Sequence, residues 1–176
     1  VLLLVTFVPA IALWLPRPVH PTDSSHWVPV TRFPDSVAQP ALSPDGQMVA
    51  FVRGESSFYG PGQIYIKAVP DGEPVQLTND KLDKMSPVFS PDGSRIVYTT
   101  VNPDFQCDTW TVPVHGGEPK MMLKNASGLV WIGRRRIMFS EIRRGVHMAV
   151  VTSDEDGAAK RDVYVTDRFT AQLKLP

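Results

Sequence analysis

The sequence predicts an all-β fold built from repeated four-stranded antiparallel units. Two segments match each other closely: PALSPDGQMVAFV at residues 40–52 and PVFSPDGSRIVYT at residues 87–99. A second matching pair, IYIKAVPDGEPVQL at residues 64–77 and TWTVPVHGGEPKMM at residues 109–122, follows at nearly the same spacing. The 17 prolines and 12 glycines indicate many short elements joined by turns rather than long helices. Repeats of about 45 residues made of short apolar runs are typical of β-propeller blades.

A third, weaker copy follows the two clear ones. GLVWIGRRRIMFSE at residues 128–141 keeps the apolar pattern but lacks Ser-Pro-Asp-Gly, and HMAVVTSDEDG at residues 147–157 takes the place of the second segment. The sequence therefore predicts a partial β-propeller of about three units over residues 28–165, preceded by an N-terminal apolar helix. In the two clear units the predicted second, third and edge strands are Met48–Arg53, Gln63–Ala68 and Pro74–Thr78, then Arg95–Thr100, Asp108–Pro113 and Pro119–Leu123.

The repeated Ser-Pro-Asp-Gly has the composition of a turn. Proline presets φ for the first central position, glycine supplies a left-handed conformation, and the serine and aspartate side chains can bond nearby backbone N–H groups. A nucleophilic serine would need a base and usually a Gly-x-Ser-x-Gly elbow, which the sequence lacks. We therefore predict no catalytic residue. The predicted structural turn residues are Ser43, Pro44, Asp45, Gly46, Ser90, Pro91, Asp92 and Gly93.

The repeat also resembles a known family. The pattern P-x-[LF]-S-P-D-G-x-x-[IV]-x-[FY], followed by I-Y-[IV] and D-G-E-P-x-x-L-T, is similar to the TolB-type, WD-like β-propeller repeat of bacteria, over roughly residues 27–165. Such repeats occur in the periplasmic TolB protein and in the propellers of prolyl-oligopeptidase-like peptidases. They also form extracytoplasmic domains behind a single membrane helix in bacterial Ser/Thr kinases and winged-helix regulators. An apolar helix, a proline-rich linker and then these repeats is most similar to the last arrangement.

The first residues differ in kind from the repeats. VLLLVTFVPAIALWLP at residues 1–16 carries no charge, and its length lies between a signal-peptide core and a membrane span of about 20 residues. Because the chain opens on Val inside the apolar run, we favour a truncated transmembrane helix over a cleaved signal peptide. Residues 17–27, with three prolines, then form a linker. Either interpretation predicts that the repeats are extracytoplasmic, in the periplasm.

Three units do not close a ring of the usual four to eight blades. WVPVTRF at residues 27–33 aligns with the edge strand PVQLTND, which predicts a strand belonging to another blade. The tail at residues 166–176 carries no blade signature and is predicted to be irregular. We therefore expect exposed sheet edges and a marginal or aggregation-prone isolated chain.

Composition excludes several function classes. The formal net charge is zero, which argues against broad binding to nucleic acid. A single cysteine, Cys107, rules out an intrachain disulfide and a cysteine-based zinc site, and no cofactor is predicted. SDEDG at residues 153–157 lacks the alternating ligand spacing of a calcium loop and is interpreted as a turn. The five arginines within residues 134–144 are predicted to lie on the loops that flank one hairpin.

The insertions between second and third strands are the best candidates for binding. GESSFYGPGQ at residues 54–63 and VNPDFQCD at residues 101–108 occupy the same place in successive units, so they should emerge at one end of the fold. Loops on a rigid scaffold often bind partners, and aromatic residues often anchor them. The predicted binding residues are Phe58, Tyr59 and Phe105, set against the alternative that these rings fold back onto the sheet edges.

The sequence is compatible with two functions. The first is a non-catalytic, membrane-tethered binding or sensor module with a protein or peptide partner, within a larger signalling protein. The second is the propeller of a prolyl-oligopeptidase-like serine peptidase whose catalytic domain lies outside this chain. Neither interpretation places a kinase or peptidase motif within these 176 residues.

Overall fold

Twelve strands form three four-stranded antiparallel sheets, each of which we call a blade. A computed structural model describes residues 28–55, 60–144 and 147–165, and these ranges contain strands, turns and bends but no helix. Neighbouring strands in the sequence are neighbours in each sheet. The all-β prediction is thus confirmed. Blade 1 comprises β1 Ser36–Leu42, β2 Met48–Gly54, β3 Gly62–Ala68 and β4 Val75–Gln76; blade 2 comprises β5 Asp83–Phe89, β6 Arg95–Val101, β7 Cys107–Pro113 and β8 Lys120–Leu123; blade 3 comprises β9 Ser127–Trp131, β10 Arg136–Arg144, β11 His147–Asp154 and β12 Arg161–Val165.

The predicted N-terminal helix at residues 1–16, the linker at 17–27 and the tail at 166–176 lie outside the described residues. Within the described ranges, no helix is long and apolar enough to cross a membrane.

The edge strands are shorter than the sequence predicts. β4 covers only Val75–Gln76, because Pro74 cannot donate to a ladder. Beyond Gln76 the Leu77 N–H still donates to the Ile64 carbonyl at 2.8 Å, but a side chain takes the return bond. Thr78 Oγ1 accepts the Ile64 N–H at 2.9 Å and donates to Gln63 Oε1 at 2.8 Å. The threonine hydroxyl thereby closes the outer edge of blade 1 without a longer strand.

The first strand of each blade (β1, β5 and β9), which we call the inner strand, contains a β-bulge at an equivalent position. Gln39, Ser86 and Gly128 hold positive φ values of 54°, 52° and 61°, and the register of each inner strand shifts beside them. Two of these bulges are joined to the preceding blade. The Ser86 N–H donates to the Gln39 side-chain carbonyl, and the Gly128 N–H donates to Thr99 Oγ1 at 3.1 Å. Contacts of β5 with both β1 and β9 bring the inner strands together.

Two apolar cores hold the blades against one another. Each core lies at a seam, the interface between successive blades, and buries alternate residues of the facing strands, as the two-residue period of a strand requires. The first seam contains Ala50, Val52, Ile64, Ile66 and Leu77 of blade 1 and Phe89, Ile96, Tyr98, Val112 and Val114 of blade 2. The second seam contains Val97, Leu123, Ala126, Leu129, Ile137, Phe139, Ala149 and Val151.

The strand predicted at residues 27–33 is wrong over its described part, because residues 28–33 form no strand. Side-chain contacts hold this segment instead. Phe33 packs against Phe51 and Tyr65, with ring centroids 6.0 and 6.2 Å apart. The Arg53 guanidinium lies 3.9 Å from the Phe33 ring centroid and pairs with Asp35 at 2.9 Å. The segment thus covers the face of blade 1 that points away from blade 2.

The predicted placement of the arginines on loops is only partly right. Arg134 and Arg135 lie in the β9–β10 turn, but Arg136, Arg143 and Arg144 belong to β10. The third unit has a shortened turn, so its strand starts directly after Arg135. Arg143 pairs with Glu141 at 3.2 Å and with Asp162 on β12.

Candidate binding surfaces at the two ends of the blades

Each blade has two ends, because its four strands alternate in direction. The turns after the first and third strands lie at one end, which we call the turn end. The loops after the second strands and the connections between blades lie at the other, the loop end. Candidate binding or catalytic residues occur at both ends.

The two Ser-Pro-Asp-Gly turns at the turn end have the same hydrogen bonds. Ser43 Oγ donates to Asp45 Oδ1 at 2.6 Å and accepts the Met48 N–H at 2.8 Å. Ser90 Oγ donates to Asp92 Oδ1 at 2.5 Å and accepts the Arg95 N–H at 3.2 Å. Each serine hydroxyl is thus committed to its own turn. The glycines that complete these turns, Gly46 and Gly93, have φ values of 71° and 70°.

The electrostatics of these turns favour ionised aspartates. The Ser90 hydroxyl, followed by the Ser94 N–H and hydroxyl, lowers the pKa of Asp92 from 3.8 to about 2. The Ser43 hydroxyl and the Gln47 N–H likewise lower the pKa of Asp45. A carboxylate held ionised by its own turn is a poor proton acceptor. These contacts stabilise the turn and do not activate the serine for nucleophilic attack.

A cleft of about 340 Å³ opens beside the second of these turns, at the second seam. Arg95 of blade 2 forms a salt bridge with Glu155 of blade 3 across it. The sequence interpretation missed this cleft, although one signal was available: Arg95 occupies the place that Met48 holds in the first unit. The lining residues are Ser90, Pro91, Asp92, Arg95, Arg134 and Glu155.

At the loop end, Phe105 is held out to solvent on a well-bonded turn. Its side chain is 69% exposed and its φ is 58°. Asn102 Oδ1 accepts the N–H groups of Asp104 and Gln106 at 3.0 and 2.9 Å, and the Asn102 carbonyl accepts the Phe105 N–H at 2.9 Å. The ring therefore does not fold back onto the blade. Its predicted companions, Phe58 and Tyr59, lie outside the described residues.

Cys107 follows this turn and is half-buried. Its Sγ lies 3.9 Å from the Phe105 carbonyl oxygen. Burial, and then the charge of Asp108, raise the pKa of the thiol. The thiol is therefore a weaker nucleophile at neutral pH than an ordinary cysteine.

The connections between blades at the loop end share a capping interaction. Gln63 Oε1 accepts the Asp80 N–H at 3.3 Å, and Asp108 Oδ1 accepts the Asn125 N–H at 2.8 Å. Asn125 Nδ2 then donates to the Ile142 carbonyl of blade 3 at 2.7 Å. These side chains hold the connections between blades at the loop end.

The acidic run at residues 153–157 spans the end of β11 and the start of the turn that leads to β12. Gly157 has a φ of 81° and its N–H donates to the Asp154 carbonyl at 2.9 Å. Glu155 points to Arg95, whereas Asp156 Oδ1 accepts the Ala158 N–H at 2.9 Å. Across the part of the chain that the structure describes, no three His, Cys, Asp or Glu residues group together as metal ligands would.

Comparison with known proteins establishes the fold. The chain matches no protein-family model. It is 31% identical over 81 residues to the uncharacterized peptidase YuxL of Bacillus subtilis (strain 168), a match that spans 46% of this chain and 12% of the relative. TolB from Acinetobacter baumannii superposes with a TM-score of 0.60 at 17% identity, covering 73% of this chain and 32% of TolB. The β-propeller domain of the Trilobed protease from Pyrococcus furiosus superposes with a TM-score of 0.54 at 19% identity, covering 72% and 42%.

The described blades are thus a TolB-like β-propeller fold. The chain spans less than half the length of each of these proteins. At these identities, the structural likeness defines the architecture and leaves the activity open.

Proposed function

We propose that the chain is a non-catalytic binding module, tethered to a membrane, whose loop end recognises a protein partner. The observation that carries this proposal is Phe105. A bulky residue at positive φ is costly, and an exposed aromatic ring gains little from burial to offset that cost. Strain of this kind concentrates at binding and catalytic positions, and aromatic rings are favoured anchors of protein interfaces.

The hydrogen bonds of the turn serines support the same proposal. The hydroxyl groups of Ser43 and Ser90 donate to the turn aspartates Asp45 and Asp92, and the pKa values of these aspartates are lowered. The membrane tether is supported by the uncharged run at residues 1–16 and the proline-rich segment after it. We therefore place the blades on the extracytoplasmic side, within a signalling protein such as a Ser/Thr kinase or a transcriptional regulator.

A crosslinking experiment tests the binding role. A benzophenone-bearing phenylalanine analogue at position 105, in the parent protein in its own cells, should yield a defined crosslink to another protein. Val75 offers a matched control, because it is 53% exposed and lies on the outer edge strand of blade 1. Equal yields at both positions, or none at 105, would contradict the proposal.

The tether is tested separately by fractionation. Deleting residues 1–16 from the parent protein should move it out of the membrane fraction. Retention in that fraction would remove the anchor from the proposal and leave the binding role standing.

A second candidate function is the propeller of a serine peptidase. It is favoured by the match to the peptidase YuxL and by the likeness to the Trilobed protease propeller. In that case the partner of Phe105 would be another domain of the same polypeptide. The same crosslinking experiment distinguishes the two, because an intramolecular crosslink leaves the mass unchanged and an intermolecular one adds a partner.

A further inference from the structure

The face of blade 3 that points away from blade 2 is equivalent to a face that is buried in the other two blades. Ala50, Val97 and Met138 hold equivalent positions, because each is the third residue of the second strand of its blade. Ala50 and Val97 are fully buried against the blade that follows. Met138 is only half-buried. Within the described ranges no blade follows β12, so this face of blade 3 has no partner there.

Strand geometry places a set of apolar side chains on this face. Phe139 and Val151 belong to the core of the second seam, and side chains alternate along a strand, so their neighbours point the other way. Residues paired across neighbouring strands share a face, which extends the set from β10 to β9, β11 and β12. Ser140 and Thr152 lie among the apolar residues. This open face contains Val130, Met138, Ile142, Met148, Val150 and Tyr164.

At both seams, the inner strand of the next blade covers the equivalent face. β5 contacts β1, β2 and β3 of blade 1, and β9 contacts β5, β6 and β7 of blade 2. The connection that leads to the inner strand is short, consisting of residues 77–82 before β5 and residues 124–126 before β9. A segment that covers the open face in the same way would therefore begin a few residues after Val165, where β12 ends.

The sequence after β12 has the pattern that such a segment needs. Apolar and polar residues alternate without exception over residues 169–175, which read FTAQLKL. In an extended chain this period places all the apolar side chains on one side and all the polar ones on the other. The apolar side consists of Phe169, Ala171, Leu173 and Leu175, and the polar side of Thr170, Gln172 and Lys174. One side thus suits burial against a sheet and the other suits water.

We propose that residues 169–175 lie in an extended conformation across β9, β10 and β11 and cover the open face of blade 3. The far side of blade 1 is covered in a comparable way, because the segment before β1 packs there through the Phe33 side chain without forming a strand. The proposal replaces the expectation of an irregular tail for these residues. It is independent of the role proposed for Phe105, and it leaves the two ends of the blades as the surfaces open to a partner.

Photocrosslinking in the parent protein, in its own cells, tests the position of the segment. A benzophenone-bearing phenylalanine analogue is placed at position 173 in one variant and at position 172 in the other, and both positions lie in the tryptic peptide 169–174. From position 173 it should crosslink to the tryptic peptides 137–143 or 145–160 of the same molecule, which contain Met138 and Met148. Position 172, on the polar side, is the matched control and should give a much lower yield.

The other outcomes of this experiment overturn the proposal. Equal yields from the two positions, or no crosslink from position 173 to either peptide, would place the segment away from the open face. A crosslink from position 173 that adds the mass of a second copy or of another protein would assign the segment a different partner.

Methionine oxidation in the purified parent protein provides a second readout. Peroxide oxidises accessible thioethers, so the segment should protect Met138 and Met148. Leu173→Ser should raise their oxidation rates several-fold, whereas Gln172→Ser should leave them unchanged. Met121, 48% exposed on β8, is the internal reference and should react at the same rate in all three proteins. Unchanged rates in Leu173→Ser would contradict the proposal, and so would an equal rise at Met121, because the protection would then not be local to the open face.

Discussion

Asp80 holds the ammonium group of Lys84 at 2.5 Å, where the connection from blade 1 meets the inner strand of blade 2. The Lys84 side chain is fully buried, whereas the Asp80 side chain is 39% exposed. The Leu82 carbonyl accepts a second hydrogen bond from the same ammonium at 3.1 Å. This pair ties the connection between the blades to the strand that follows it.

The unequal burial of the two partners predicts unequal effects of their removal. Asp80→Ala leaves the buried ammonium with the Leu82 carbonyl as its remaining hydrogen-bond partner among the described residues, and should lower the free energy of unfolding by about 2–3 kcal/mol. Lys84→Met leaves a carboxylate that water can reach, and should cost less than about 1.5 kcal/mol. Urea unfolding of both variants and of the double variant measures the difference. A larger loss for Lys84→Met would contradict this account of the pair.

The turn aspartates predict how stability depends on pH. The Ser90 hydroxyl, with the Ser94 N–H and hydroxyl, lowers the folded pKa of Asp92 to about 2, below its value of about 4 in an unfolded chain. The stabilisation from Asp92 is therefore present above about pH 4 and is lost as the pH falls towards 2. Asp92→Asn should be less stable than the parent chain at pH 6, and the gap should narrow below pH 4.

The equivalent turn of blade 1 is the internal check on this pH effect. The Ser43 hydroxyl lowers the pKa of Asp45 in the same way, so Asp45→Asn should show a gap of the same sign. Urea unfolding between pH 2 and pH 6 measures both. A gap that stays constant over that range would exclude the turn aspartates as the source.

The segment that covers blade 1 predicts a further loss of stability. Phe33 contacts two aromatic rings and the Arg53 guanidinium. Phe33→Ala should therefore lower the free energy of unfolding by about 1–2 kcal/mol. Val30→Ala, at a 40% exposed position of the same segment, is the matched control and should change it little. Equal effects would mean that the segment is held by its backbone rather than by Phe33.

The sequence was most informative where local chemistry decides the structure. Proline and glycine specify the turns at Ser43–Gly46 and Ser90–Gly93, and the β-branched runs after them form β2 and β6. The inner-strand bulges were not predictable in this way, because neither Gln39 nor Ser86 favours positive φ strongly. Their conformation depends on contacts between blades, such as the bond from the Ser86 N–H to Gln39.

The candidate sites show the same division. The exposed position of Phe105 could be anticipated, because it lies in an inserted loop, and its role in binding stays a prediction. The cleft at the second seam could not be anticipated, since Arg95 and Glu155 are 60 residues apart and meet only when blades 2 and 3 pack. Alignment with an edge strand predicts a strand at residues 27–33, but a strand also needs a partner strand. The described part of this segment has none and is held by side chains instead.

Phe105 provides the test that links strain to binding. A left-handed conformation costs a side chain with a Cβ atom about 1–2 kcal/mol, and glycine adopts it without that cost. Phe105→Gly should therefore raise the free energy of unfolding by up to about 1 kcal/mol, and Phe105→Ala, which keeps the Cβ atom, should not. Thermal and urea unfolding measure the two variants side by side.

Both variants should lose binding to the partner identified by crosslinking at position 105, because both lack the ring. Gain of stability with loss of binding in Phe105→Gly is the expected signature of a residue kept for recognition. If Phe105→Gly is instead less stable than Phe105→Ala, the positive φ is not strained, and the ring contributes to folding rather than to an interface.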